Sequence, residues 1–246
     1  MKFLGPISVF FLLVLAPLMS FEKQDAAHKL HIVVEPIFGN RQFSFDSSYV
    51  NAAGESLQVT KCLFYLSNFS VTYSDGKKRK IPASYFLVDL SDSNSCRIQL
   101  PIENKNILSI HFLLGIDSVT NVRGIQKGVL DPARGMFWTW NTGYIMAKME
   151  GISAVSTLPG KKFSYHIGGY AGNHNVVKSI DLSTTGKREI KKEQTIVLLA
   201  DLSHWFNGPS PLSIAQQPNC HSPGELAQKI AGNFQSMFSI QKTPTP

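Results

Sequence analysis

The sequence lacks a second long apolar run. Phe3 to Leu18 is almost wholly apolar, Lys2 precedes it, and Ser20 offers a small residue for cleavage. This pattern is typical of a secretory signal peptide, and no later stretch approaches the roughly 20 apolar residues of a transmembrane helix. We therefore expect a signal peptide at residues 1–20, a flexible N-terminus at 21–28, and a periplasmic or secreted protein without stable membrane insertion.

Cysteine is scarce. The chain has three, Cys62, Cys96 and Cys220, and an odd number allows at most one intramolecular disulfide with one thiol left over. An exported location permits such a bridge, but the spacing does not choose among the three pairs.

Signatures of catalysis and of nucleic-acid binding are absent. There is no Gly-x-Ser-x-Gly, no phosphate-binding glycine loop and no Cys/His pattern, so we expect no enzyme activity. The net charge is +7, but much of the excess lies in two runs, residues 77–80 and 187–192, beside turn residues. We expect these runs to be solvated hairpin loops, because nucleic-acid binding calls for basic residues interleaved with exposed aromatics.

What the chain does contain is a regular series of short β-type segments. Hydrophobic residues make up 43% of the 246 residues, enough for a single folded core. Alternating segments at 30–34, 57–73, 81–90, 96–100, 163–167, 176–182 and 195–202, with a continuous apolar segment at 107–116, are separated by turn residues. The pattern predicts a single all-β domain over residues 29–240, a mostly antiparallel β-sandwich of about nine or ten strands.

One helix breaks the β pattern near the end of the chain. Ser222 is placed to cap it, proline follows, and Glu225 stands three residues after the cap. An apolar stripe runs from Leu226 to Met237, so we predict a C-terminal α-helix at about 223–237 that packs on the sandwich. Residues 241–246 are expected to be a disordered tail.

The segment from Gly135 to Tyr144 holds two of the three tryptophans, Trp138 and Trp140. In a β-strand their i, i+2 spacing would place both rings on one face. Large aromatics in that arrangement either anchor a sheet core or form an exposed site, and the pattern leaves both open.

Among the histidines, His166 and His31 are the best-placed candidate metal ligands. Each alternates with apolar residues, so each lies opposite the predicted core face of its strand. The long loop at 117–134 adds Asp117, Asn121 and Asp131, whose oxygens could hold Ca²⁺ or cap turns of the loop.

Blocks of sequence along almost the whole mature chain resemble the MbnP-like domain family. The resemblance covers about residues 29–240 and lies in Leu63-Phe-Tyr-Leu-Ser-Asn68, Tyr85-Phe-Leu-Val-Asp89, Leu114-Gly-Ile-Asp-Ser118, Gly128-Val-Leu-Asp-Pro132, Gly135-Met-Phe-Trp-Thr-Trp-Asn-Thr-Gly-Tyr144, Phe163-Ser-Tyr-His-Ile-Gly-Gly169, Trp205-Phe-Asn-Gly208 and Asn233-Phe-Gln-Ser-Met-Phe238.

The resemblance implies an exported, non-enzymatic copper-binding protein. Methanotroph relatives hold copper with histidines and a tryptophan oxidised to kynurenine, and a di-haem peroxidase-like oxidase is their partner. On this chain the motif implies His166 as a ligand and Trp138 or Trp140 as the modified tryptophan. Many relatives carry further histidines where this chain has Pro36 and Ile240 to Lys242, which leaves His31 as the substitute ligand. The alternative is a metal-free sandwich module that binds a protein or glycan through exposed aromatics.

Overall fold

The computed structural model describes residues 28–139, 142–184 and 193–241. The predicted signal peptide, most of the predicted N-terminal segment, Trp140, the basic run at 187–192 and the tail from residue 242 lie outside the described residues.

The described residues form fourteen β-strands and two α-helices. Nine of the strands have five or more residues, which agrees with the predicted nine or ten. The strands are β1 (His28–Phe38), β2 (Arg41–Gln42), β3 (Tyr49–Val50), β4 (Ser56–Tyr73), β5 (Lys78–Lys80), β6 (Tyr85–Asp89), β7 (Arg97–Ile102), β8 (Ile107–Leu114), β9 (Ile145–Ile152), β10 (Lys162–Gly168), β11 (Lys178–Ser183), β12 (Glu193–Asp201), β13 (Asn219–Cys220) and β14 (Phe238–Ile240). The helices are α1 (Ser118–Val122) and α2 (Glu225–Phe234).

The strands build two sheets. One has five strands in the order β14-β12-β1-β2, and β7 also pairs with β1. The other has nine, in the order β11-β8-β4-β9-β10-β13, with β3, β5 and β6 also paired to β4. Most pairs are antiparallel, but β1 pairs with β12, and β10 with β13, in parallel. The predicted all-β sandwich with a C-terminal helix is confirmed.

The core lies between the two sheets, and strands such as β1 and β10 turn alternate apolar residues towards it, whereas the middle of β4 is buried on both faces. Phe64 of β4 and Phe112 of β8 meet Phe238 of the facing sheet, with ring centroids 5.7 and 5.4 Å apart. From Leu30 to Val34 in β1 and from Phe163 to Ile167 in β10 the alternation is strict, and the inward residues are at most 2% exposed. The intervening residues, His31 and His166 among them, therefore point away from this core.

The C-terminal helix is shorter than predicted. It spans Glu225–Phe234, and its N-cap is Gly224, which provides no side-chain hydrogen bond. The expectation that Ser222 caps the helix is therefore wrong. The apolar stripe does pack inward: Ile230 and Phe234 are fully buried, and the Phe234 ring lies 5.1 Å from Trp205.

Two local predictions fail. The basic run at 77–80 is not only a loop, because Lys78–Lys80 pairs with Ser70–Thr72 of β4 as strand β5. Trp138 does not lie in a strand: among the described residues around it there is one bridge, Phe137 to Tyr144, and the Gly143 amide donates to the carbonyl of Thr139 at 2.8 Å. The strand predicted for Trp138 is therefore wrong, and Trp140 lies outside the described residues.

The long loop from Asp117 to Tyr144 is tied to the outer face of the nine-stranded sheet. The Tyr65 hydroxyl donates to the carbonyl of Val129, and the Tyr144 hydroxyl lies within hydrogen-bond distance of the carbonyls of Gly124 and Leu130. Among the helices of the described chain, none is long and apolar enough to cross a membrane.

Candidate functional site

The pairing of β9 with β10 gathers polar side chains on the outer face of the nine-stranded sheet. Lys148 stands opposite His166, and Glu150 stands opposite Ser164. Directly paired residues have side chains on the same face, so these four form one patch. We call it, together with His221, the β9–β10 polar cluster.

His166 is held by the residues across from it and beside it. Its Nε2 atom lies 2.7 Å from Oε1 of Glu150 and 3.2 Å from Oγ of Ser164. The side chains of His166 and Glu150 are 19% and 32% exposed, so the pair is shielded but reachable from solvent.

His221 completes the cluster. Strand β13 runs parallel to β10, pairing Asn219 with Ser164. The residue that follows this short strand, His221, stacks its ring on that of His166 at 4.5 Å and 30°, and its Nε2 lies 2.8 Å from Oγ of Ser164. The sequence pattern did not single out His221, because a two-residue strand gives no periodic signal and its partner strand lies more than fifty residues away in sequence.

The environment favours a neutral His166 that donates to Glu150. Burial lowers the pKa of His166 below its ordinary value, and the hydrogen bond to Glu150 opposes that shift only in part. Burial raises the pKa of Glu150, but the hydrogen bond from His166 and the nearby lysines outweigh it, so that pKa is lowered overall. A neutral imidazole that gives its Nε2–H to a carboxylate keeps its Nδ1 lone pair for another ligand.

Trp138 lies at one end of the cluster. Gly168 follows His166 by two residues, just past an irregularity in the β9–β10 register, and a Cβ on Gly168 would be 2.6 Å from Cζ3 of Trp138. The indole therefore rests directly on the backbone of β10, where only glycine leaves room. Trp138 is half-buried, and the Lys148 ammonium donates to the carbonyl of Gly135 in the same loop.

The three candidate calcium ligands make capping hydrogen bonds. Asp117 caps α1 by accepting from the Thr120 amide at 2.9 Å, and Asp131 accepts from the Ala133 amide at 2.8 Å. The Asn121 amide group donates to the carbonyl of Ile116 and accepts from the Tyr144 amide. Each of these side chains is thus engaged in holding the long loop.

His31 is not brought to the cluster. It lies on the outer face of the five-stranded sheet, on the opposite side of the sandwich from His166. Its Nε2 is 3.9 Å from Oε2 of Glu193, too far for a hydrogen bond. The Nε2 atom of His31 is buried and has no hydrogen-bond partner in the described chain.

Other metal-binding groups do not converge. The thiols of Cys62, Cys96 and Cys220 are all free and buried. Within residues 28–139, 142–184 and 193–241, no set of three or more His, Cys, Asp or Glu side chains is arranged to hold a metal ion. The donor chemistry of the β9–β10 polar cluster is therefore two imidazoles, one of them oriented by a carboxylate, beside a tryptophan.

Comparison with known proteins identifies the domain. The family model described as MbnP matches residues 27–222, most of the chain. The fold is similar to the solved structure of MbnP from Methylosinus trichosporium, with a TM-score of 0.56 and 12% identity, covering 81% of this chain and 83% of that one. No curated protein sequence matches the chain. The chain belongs to the MbnP family.

Proposed function

We propose that this protein is a non-enzymatic, exported copper-binding protein that holds copper at the β9–β10 polar cluster. The observation that carries the proposal is the stacking of His166 on His221 at 4.5 Å, at a half-buried position beside Trp138. Imidazole nitrogens are ligands that copper favours. The copper function is what the family resemblance implies, and the cluster supplies the second histidine that the sequence pattern did not.

The residues fit a copper ion in two ways: they offer imidazole nitrogens as ligands, and a carboxylate holds one imidazole in position. Histidines that bind metals usually give their other ring N–H to a carboxylate, which fixes the tautomer and orients the ring. Glu150 stands in that relation to His166, at 2.7 Å from Nε2. In the proposed site the imidazoles of His166 and His221 hold copper, and Glu150 and Ser164 orient them. A bound copper ion would supply a redox-active, Lewis-acidic centre.

Of the two tryptophans in the described part of the chain, Trp138 and Trp205, Trp138 is the better placed for the modification that the resemblance implies, because Trp205 is fully buried. Its indole lies against Gly168 on the strand that carries His166, and it is half-buried. In this proposal an oxidase of the di-haem peroxidase-like class, supplied with peroxide as the oxidant, cleaves the C2–C3 bond of the Trp138 indole and adds two oxygen atoms. Hydrolysis then releases C2 as formate and leaves kynurenine next to the copper ligands.

Copper titration of matched histidine variants tests the proposal. We expect the natively exported protein to bind one copper ion. His166→Ala and His221→Ala should each weaken binding by at least the roughly 10- to 100-fold seen when a residue that only orients a metal ligand is removed. His31→Ala is the control, because His31 lies on the opposite face, and it should bind as the parent does.

The same preparation tests the tryptophan. Peptide mass mapping should find kynurenine at position 138. A chain without stoichiometric copper, or equal losses in His31→Ala and His166→Ala, would rule out the proposed site. An unmodified Trp138 in a copper-loaded protein would rule out the oxidation alone.

A further inference from the structure

A cavity on the outer face of the nine-stranded sheet has the features of an anion-binding site. It encloses about 370 Å³, the size of a small-ligand pocket, and it lies away from the β9–β10 polar cluster. Its lining includes Lys78 and Lys80 of β5, Ser70 of β4 and His111 of β8, with an apolar wall around Ile81. We call it the β4–β5 groove.

The strand register explains why these groups meet. Ser70 of β4 pairs with Lys80 on one side and with His111 on the other, so the three side chains form a row across the outer face. Lys78 stands two pairs further along β5, opposite Thr72, and therefore on the same face as Lys80. Asp181 of β11 extends the row beyond His111 and accepts from its Nδ1 at 3.1 Å, which orients the ring. Nε2 is then an acceptor in the neutral ring and donates to an anion only when the ring is protonated.

The positive charge of the groove is not neutralised. Lys105 and Arg79, which lie nearby in the fold, pair with Asp75 or Glu103. In the described residues neither Lys78 nor Lys80 makes an ion pair, and both are exposed. Two unpaired ammonium groups that flank one cavity attract an anion, and lysines are common point-charge ligands of phosphate.

A buried polar atom points to the same chemistry. Ser70 is only 2% exposed, and its Oγ has no hydrogen-bond partner among the described residues. Leaving a buried hydroxyl unpaired destabilises the folded protein, so such an atom needs an explanation. A ligand oxygen in the groove would accept from this hydroxyl.

We propose that the β4–β5 groove binds a small organic phosphate, with the phosphate at Lys78, Lys80 and Ser70 and the organic part against the apolar wall formed by Ile81, Pro82, Ala83 and Leu113. The three terminal oxygens of a phosphate monoester can accept from the two ammonium groups and the Ser70 hydroxyl, and its charge of about −1.5 to −2 matches two ammonium groups better than the single charge of a carboxylate. The proposal does not depend on copper binding.

Isothermal titration with phenyl phosphate, inorganic phosphate and benzoate tests it. We expect phenyl phosphate to bind about fivefold or more tightly than inorganic phosphate, because its ring buries apolar surface, and more tightly than benzoate. The double variant Lys78→Ala/Lys80→Ala should weaken binding of phenyl phosphate at least about tenfold. Lys77→Ala is the matched control: it belongs to the same basic run but does not line the groove, and it should change affinity by less than about twofold.

Ser70→Ala separates a ligand-binding hydroxyl from a structural one. Because Ser70 Oγ has no partner, the variant should be as stable as the parent or more so, while phenyl phosphate binds several times more weakly. The proposal is overturned if phenyl phosphate does not bind, if benzoate or inorganic phosphate binds as tightly, or if Lys77→Ala weakens binding as much as the double variant. A loss of stability in Ser70→Ala with unchanged binding also overturns the role of Ser70.

Discussion

His166 and His31 occupy equivalent positions in two strands, yet their surroundings differ. Both alternate with buried apolar residues, both point out of the sandwich, and both have a glutamate nearby. His166 contacts its glutamate at 2.7 Å and stacks on a second imidazole. His31 stays 3.9 Å from its glutamate, and its Nε2 has no partner in the described chain. Alternation thus places a histidine on a surface, but the neighbouring strands decide whether it becomes part of a site.

The neighbours also differ in how firmly they are fixed. Glu150 lies in the middle of a sheet. It is flanked by Lys61 of β4, by Lys148 of β9 and by the ring of His166. Glu193, by contrast, is the first residue of β12, and its side chain is 65% exposed. A site needs ligands whose supports are themselves held in place, and by this criterion the β9–β10 polar cluster is the better candidate.

The largest effect should come from filling the space under Trp138. In Gly168→Ala the new Cβ would meet Trp138 at 2.6 Å and the Tyr144 carbonyl at 2.8 Å. We expect the free energy of unfolding to fall by about 2–3 kcal/mol, because the strand backbone and the indole must both move. Chemical denaturation measures this loss.

The control for that variant is Gly232→Ala in α2, where a Cβ meets nothing within 4 Å. It should stabilise the protein by about 0.5–1 kcal/mol through helix propensity. A Gly168→Ala protein as stable as the parent would show that Trp138 does not pack on β10.

A smaller effect should separate the two glutamates. Glu150→Gln removes a charge-assisted hydrogen bond to a shielded imidazole, and we expect it to cost about 1–2 kcal/mol at neutral pH. Glu193→Gln removes only a long, exposed contact, and its cost should stay below about 0.5 kcal/mol. Thermal unfolding of both variants side by side measures the difference. Equal costs would contradict the contrast between the two histidines.

The smallest expected effect is a shift in the pKa of His166. In the copper-free protein the pKa of His166 should lie below 6.5, and NMR of the ring proton measures it. The unfolded chain takes up this proton near pH 6.5 and the folded chain only at lower pH. His166 therefore favours the fold above pH 6.5, and this contribution is lost as the pH falls through the folded pKa. Since the bond to Glu150 raises the pKa, Glu150→Gln should lower it further; a rise would contradict the assigned pairing.

Much of the fold could be predicted from local patterns. Period-two alternation identified the long strands and the core faces of β1 and β10, and the apolar stripe identified α2. The errors lie where tertiary contacts override local signals. The sequence of residues 78–80 is typical of a charged loop, but these residues form a strand because they pair with residues 70–72 of β4. Trp138 has the spacing of a strand residue, but backbone bonds within the loop turn the chain instead.

The candidate site was half predictable. His166 was found because it interrupts an apolar strand and stands in the family motif. The positions of Glu150 and Ser164 next to His166 follow from the register between β9 and β10, which cannot be read from the sequence. His221 depends on a two-residue parallel pairing with no pattern of its own. The unpaired hydroxyl of Ser70 is likewise visible only once three strands are aligned.

The parallel pairing of β1 with β12 also constrains how the chain acquires its structure. It joins Lys29, near the start of the domain, to Glu193, near its end, and β14 then adds to β12 from still later in the sequence. Contacts between residues so far apart in sequence form slowly, because a long loop must close before they stabilise anything. The five-stranded sheet can be completed only after almost the entire chain is available. During synthesis, which starts at the N-terminus, the domain would therefore remain incompletely folded until its last strands are made. An incompletely folded polypeptide can still pass through a narrow channel.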